Sequence, residues 1–456
     1  MSSQPRRFVQ VALFIFGLLV SALGFQRAAN PLDEVSGLLL TDQYEEAQAL
    51  LLGLLESAQG IALKGEIEFR KGNFEAARTQ YLRSLELDPE TSRAHYGLGK
   101  LAMAKMESKE AVRSVMKAVE LDPEEAIYRL TAAEAWGIDR NLDEQTRQFE
   151  AYVALDPSYD PERVAEVQAA LDVIQNFGSE KMGTYAIPVD QEPIPILKAI
   201  NLIFADFMVG EKGPFEFIID TGASQTVFTE KLVNELGLEP IASTLIHGIG
   251  GEGKVDTNIY RIDELKFGNI EIHNLPIGSI NEPMISELAA GIFSTATLND
   301  QVVSIDYRRE RIEFNAPEIS DNVEHIPSWF FNNLVLIPLT INGEHQGNFL
   351  VDTGAVTTVL SHNMAATLGV TEDTPGAKID LGLAGIGGFE GVVLLVPEVV
   401  FTTEKNLEGF SQVVSIDMRE ISKMLGTEVA GVVGYDFLKG YRVSIDFQNA
   451  EVRLSK

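Results

Sequence analysis

The sequence predicts two architectures in tandem: an N-terminal all-α solenoid, then a mostly β region folded as two similar lobes. Three observations carry this. Leu-Asp-Pro recurs with a period of 34 residues at Leu87, Leu121 and Leu155. Past about residue 195, helical periodicity gives way to short β-branched and aromatic runs separated by glycine. Within those runs Asp-Thr-Gly-Ala occurs twice, at Asp220 and Asp352, with an offset of 132.

At 456 residues the chain calls for two to four domains. Its 45% apolar and 23% charged content is that of folded protein. A net charge of -31 argues against nucleic acid as a partner. With no cysteine, thiol catalysis, disulfides and cysteine-based metal sites are excluded.

Residues 1–25 read as an export segment. Arg6 and Arg7 precede the apolar run Phe8 to Phe25, and Ala22 and Gly24 have signal-peptidase spacing. The chain is expected outside the cytoplasm: periplasmic, secreted, or membrane-anchored through this segment alone if it stays uncleaved, since the run is about the length of the shortest spanning helix.

Residues 37–178 hold the helical repeats. Gly65 returns as Gly99, with Ala133 following; Ala77 returns as Ala111; Tyr81 is matched by Val115 and Phe149. Small residues at those phases let paired helices approach closely, and the proline ends the second helix of each unit. The third unit departs, with Gln145 in the phase of Ala77 and Ala111. Asp42 to Glu56 reads as part of a degenerate first unit, and Pro161 to Phe177 as a closing helix with a polar outer face. The pattern resembles the tetratricopeptide repeat family, which implies a concave surface for a partner protein or substrate; a mere spacer is the plainer reading.

Residues 179–196, containing Pro188, Pro193 and Pro195, read as a linker. The lobes follow at 197–316 and 334–456, joined by 317–333. The 132-residue offset persists through Thr226/Thr358, Val227/Val359 and Gly237/Gly369. Further on, Gly248-Ile249-Gly250-Gly251 corresponds to Gly385-Ile386-Gly387-Gly388, and Gly291-Ile292-Phe293 to Gly431-Val432-Val433. Val303-Ser304-Ile305-Asp306-Tyr307 corresponds to Val443-Ser444-Ile445-Asp446-Phe447.

One Asp-Thr-Gly is weak evidence, because a strand turning through glycine is common punctuation. Two, each after an apolar strand and each in the same place in a duplicated unit, resemble the retropepsin-like aspartic peptidases, here in tandem as a pair of acid-protease barrels. The resemblance implies an endopeptidase without cofactor or metal, with Asp220 and Asp352 as the catalytic pair. It also implies that Thr221 and Thr353 hydrogen-bond across the lobes, and that the hairpins at 248–251 and 385–388 are flaps over an extended peptide.

The chemistry suits paired carboxylates. Two of them in contact cannot both ionise, so they share a proton and can activate a bound water while protonating the leaving nitrogen. Gly222 and Gly354 let the backbone pass the carboxylates closely. A single intramolecular dyad is expected. The alternatives are a homodimer with separate dyads and an exported, non-catalytic peptide-binding adaptor. One departure stands out: Ser294 occupies the position of Gly434, where the family has glycine.

The six histidines show no metallopeptidase spacing, and Ser224 and Ser361 lack a basic partner. Gly248 to Gly253 has no following lysine and is not a nucleotide loop. Trp329, Phe330 and Phe331 read as interface packing.

Overall fold

The computed structural model describes residues 44–51, 57–155, 157, 160–178, 180–188, 190–247, 254–318, 322–379 and 391–456. The export segment and both glycine-rich hairpin tips lie outside these residues.

Among the described residues eight helices come first: α1 (Tyr44–Leu51), α2 (Ala58–Arg70), α3 (Phe74–Leu87), α4 (Ser92–Ala104), α5 (Ser108–Leu121), α6 (Ala126–Ile138), α7 (Leu142–Ala154) and α8 (Pro161–Phe177). They pack as consecutive hairpins, α2 with α3, α4 with α5 and α6 with α7. Three of the starts are capped by side chains: Ser57 accepts from the Gly60 N–H, Asn141 from Glu144 and Asp160 from Arg163. The repeat positions act as the periodicity requires. A Cβ on Gly65 or Gly97 would strike the Tyr81 ring, and one on Gly99 would strike Val115. The odd third unit is compensated, because the longer Gln145 side chain lies in space left by Gly137.

In each lobe an apolar strand runs to the aspartate. In lobe 1 this is Lys212–Asp220, in which Phe217, Ile218 and Ile219 are all buried because both faces are covered. It pairs in parallel with Gly291–Ser294, which pairs antiparallel with Val227–Thr229. Lobe 2 repeats the plan with His345–Val351, Gly431–Val433 and Val359–Ser361. The described strands form a nine-stranded sheet in lobe 1, an eight-stranded sheet in lobe 2 and a six-stranded sheet shared by both. In the shared sheet Val302–Asp306 pairs antiparallel with Arg442–Asp446, so Ser304 faces its own repeat counterpart Ser444 with the hydroxyls 2.8 Å apart. The pseudo-twofold between the lobes passes there.

Both segments expected as linkers do more than connect. Residues 179–196 supply Thr184–Ala186, which extends the lobe 1 sheet, and Ile194–Pro195, which edges the shared sheet. Residues 317–333 supply Val323–Pro327 to the shared sheet and Trp329–Phe331 to lobe 2. Their prolines are compatible with edge strands, where a missing N–H costs no ladder bond.

The solenoid packs on the lobes and is not held away from them. Phe69, Phe74 and Tyr81 share one apolar cluster with Trp329, Leu336, Leu350 and Val432 of the second lobe. Phe74 lies 4.3 Å from Trp329 and 5.6 Å from Phe331, centroid to centroid. Carbonyls at the end of α2 have no intrahelical partner, and lobe 2 supplies two donors. The Thr427 hydroxyl donates to Phe69 at 2.9 Å and the Glu428 N–H to Arg70 at 2.7 Å. At the other end α8 packs against the lobe 1 strand Pro240–His247.

Candidate active site

Asp220 ends its strand paired with Ser294, and the Asp352 N–H donates to Val433 at 3.1 Å. Each aspartate therefore sits where a parallel strand pair stops and the chain must turn. Gly222 N–H donates to Asp220 Oδ1 at 2.6 Å, and Gly354 N–H to Asp352 Oδ1 at 2.7 Å.

The two turns meet at the lobe interface and are cross-linked. Thr221 N–H donates to Thr353 Oγ1 at 3.1 Å, and Thr353 N–H to Thr221 Oγ1 at 3.0 Å. Each hydroxyl then donates across the interface, Thr221 to the Val351 carbonyl and Thr353 to the Ile219 carbonyl, both at 2.7 Å. All four bonds are buried, where each polar group depends on its partner. The glycines permit this approach. A Cβ on Gly222 would come within 2.6 Å of Asp352 Oδ2, and one on Gly354 within 2.6 Å of Asp220 Cγ.

The carboxyls of Asp220 and Asp352 are brought together across the turns, each lying against the glycine of the other lobe and each acting on the other's ionisation. Burial pushes the Asp352 carboxyl well above the usual carboxylate range, and the charge of Asp220 adds to it. Burial raises Asp220 as well, but bonds from Asp352 and from the Gly222, Ala223 and Gly354 N–H groups pull it back. Burial and mutual repulsion thus favour a proton shared by the pair over two ionised carboxylates.

Ser294 is accommodated by a change of bonding. In lobe 2 the Tyr435 N–H donates to the Ala355 carbonyl at 2.8 Å, and a Cβ on Gly434 would lie 2.7 Å from that same oxygen. In lobe 1 the Ser294 hydroxyl donates to the equivalent Ala223 carbonyl at 2.6 Å, and its N–H donates to Thr226 Oγ1 at 3.1 Å. The serine side chain does there what a backbone amide does in lobe 2.

Tyr307 is a site neighbour that the motifs did not single out. Its ring packs edge-on against Tyr435 at 5.6 Å, and its phenol stays protonated, first through burial and then through the charges of Asp352 and Asp220. The signal was present in the repeat, because Tyr307 stands where lobe 2 has Phe447.

Of the predicted site residues, Asp220, Thr221, Gly222, Asp352, Thr353 and Gly354 converge on this one spot. Gly248 to Gly251 and Gly385 to Gly388 lie outside the described residues. Among the described residues Glu264, Glu271 and His273 are close enough to share an ion. Lys266 already bridges the two glutamates at 3.2 Å each, so the group is an ion-pair cluster on an exposed hairpin.

Residues 205–294 match the family described as "Aspartyl protease", and residues 337–388 the family "gag-polyprotein putative aspartyl protease". Residues 65–105 match "TPR repeat" and 92–125 "Tetratricopeptide repeat". Among solved structures, the aspartic proteinase from Irpex lacteus is 12% identical, with a TM-score of 0.40, covering 58% of this chain and 97% of its own. The Yersinia enterocolitica type III secretion translocator chaperone SycD is 20% identical, with a TM-score of 0.25, covering 27% of this chain and 94% of its own. No curated protein matches.

Proposed function

We propose that this chain, tetratricopeptide repeats joined to two retropepsin-like aspartyl protease lobes, is an aspartic endopeptidase with a single intramolecular dyad. The observation that carries the reading is the approach of Asp220 and Asp352, each to the other lobe's glycine, between threonine-locked turns. A water held between the carboxyls gives a proton to ionised Asp220 as it attacks the scissile carbonyl carbon. Protonated Asp352 donates to the carbonyl oxygen, and the amide nitrogen takes a proton from the dyad as the C–N bond breaks.

The cross-lobe bonds lie within one chain and support this arrangement over a homodimer with separate dyads. A peptide-binding adaptor has no use for two buried carboxyls sharing a proton.

The chain, freed of residues 1–25, should cleave members of a mixed-sequence peptide library, and Asp220→Asn should cleave none. Activity should fall on the acid side as the pair takes up a second proton and on the alkaline side as it loses the shared one, giving a bell-shaped profile. No cleavage at any pH from acidic to neutral would favour the adaptor.

Export is proposed on the strength of residues 1–25. No helix among the described residues is long and apolar enough to cross a membrane. Fractionation of cells expressing the full chain should recover it outside the cytoplasm; recovery in the cytosol with residue 1 intact would refute export.

A further inference from the structure

Residues in register across a sheet share a face, and so do alternate residues along a strand. In lobe 1 Leu197 pairs with Phe204, Phe204 with Ile218, Ile218 with Ile292 and Ile292 with Val227. These five form one row on the face that carries the Asp220 carboxyl, because Ile218 stands two residues before Asp220 on the same strand. Lobe 2 has the same row, Trp329, Leu336, Leu350, Val432 and Val359, on the face of Asp352. The two rows differ in what covers them. In lobe 2 the solenoid does, and the whole row shares one apolar cluster with Phe69 and Phe74. The Lys105 ammonium stands 3.7 Å over the Trp329 indole, which is only 9% exposed. In lobe 1 the cluster around Phe204 and Ile218 contains, among the described residues, none from the repeats. Leu197, which lies 132 residues before Trp329, is 60% exposed.

A second observation falls at the same end of the row. Ile200, 58% exposed, makes with Asn201 the two-residue turn between the paired residues Ala199 and Leu202, at φ of +48° and +62°. Such a turn needs positive φ at both positions; it suits asparagine and glycine and strains a β-branched side chain. The counterpart turn in lobe 2 has the favoured residues, Asn332 and Asn333, at +48° and +67°. Lobe 1 therefore keeps an exposed apolar residue where the backbone disfavours it, and strain retained at such a place points to a use.

We propose that Leu197 and Ile200 are specificity-determining residues that seat an apolar side chain of the substrate, foremost an aromatic one. They do so on one side of the scissile bond only, because the solenoid already fills the matching seat on lobe 2. The kind of group is set by that counterpart: over Trp329 lies a phenylalanine ring, Phe74, at 4.3 Å. The distance follows from sheet geometry. Leu197 lies about 7 Å back along the strand direction from Asp220 and about 10 Å across two strand spacings. The resulting ~12 Å is spanned by about three or four residues of extended chain. The proposal rests on the peptidase reading for the identity of the occupant.

The test maps cleavage sites in the mixed-sequence library with the chain freed of residues 1–25. Phe, Tyr, Trp or Leu should be enriched about tenfold at one position, about three or four residues from the cut and on one side of it, as expected for part-burial of one large apolar side chain. Leu197→Ser and Ile200→Asn should each reduce that enrichment by at least about threefold. Ile200→Asn should also raise the melting temperature, because asparagine relieves the turn; a merely structural role for Ile200 gives that rise without the loss of selectivity. Equal enrichment on both sides of the cut, or an enrichment that neither substitution reduces, overturns the proposal. The same library is selected for binding on immobilised Asp352→Asn protein, with and without Leu197→Ser. Apolar members retained through Leu197 support the seat even if no peptide is ever cut, an outcome that removes only the peptidase reading. Identical selection by the two proteins overturns the seat independently of catalysis. A concentration-dependent dimer that Leu197→Ser abolishes would assign this face to a second copy of the chain and overturn it as well. Thermal unfolding confirms that each variant is folded.

Discussion

Asp352→Asn alone is expected to remove peptide hydrolysis, by at least the roughly 10²- to 10⁴-fold that a positioned acid or base supplies. The reason is geometric. Both carboxyls belong to one site inside one chain, where the missing side chains of Gly222 and Gly354 leave each carboxyl room to approach the opposite turn. Asparagine keeps the shape but cannot hold or release the shared proton. Activity retained in Asp352→Asn and lost only after Asp220 is also replaced would overturn the single dyad in favour of dyads between molecules.

The same substitution carries a stability signature whose sign follows from the raised pKa. A carboxyl that binds its proton more tightly in the fold than in the unfolded chain weakens the native state as pH rises from the ordinary carboxylate value toward the folded one. An asparagine side chain cannot ionise and escapes that loss. Relative to the parent, Asp352→Asn should gain stability between about pH 4 and pH 7. Denaturant unfolding at both values checks this, and a gap that narrows with pH contradicts a raised Asp352.

Thr221→Val should cost about 2–4 kcal/mol, because valine matches the shape of threonine and removes only the hydroxyl. Two buried groups of lobe 2 then lose their partners: the Thr353 N–H that donates to Thr221 Oγ1, and the Val351 carbonyl that accepts from it. The turns should also loosen, so kcat should fall more than KM rises. Thermal unfolding and steady-state kinetics read the two effects. A variant as stable and as active as the parent would mean that the cross-lobe bonds contribute nothing.

Much of the molecule was legible in the chain because duplication leaves a periodic record. A period of 34 required stacked helix pairs, and the close contacts of Gly65 and Gly97 with Tyr81 are what that spacing encodes. The 132-residue offset required two lobes with an aspartate at the same point in each. The threonine bonds had been expected only through the family resemblance. Residues 179–196 and 317–333 were harder to read, since short edge strands in proline-bearing segments take their pairing from partners distant in sequence. Ser294 stood out only as a departure because a one-dimensional repeat shows a missing glycine and not the Ala223 carbonyl that the hydroxyl reaches.

By itself the sequence determined that this protein has helical repeats, two lobes and a pair of aspartates in matching turns, because local spacing alone dictates those features. Only the tertiary structure decided that the aspartates come together across the lobe interface, that burial favours a proton shared between them, and that the solenoid is welded to lobe 2 through Phe69 and Phe74. Those outcomes depend on burial, on distances across the lobe interface and on the field of neighbouring charges. Each of these is set by residues more than a hundred positions apart.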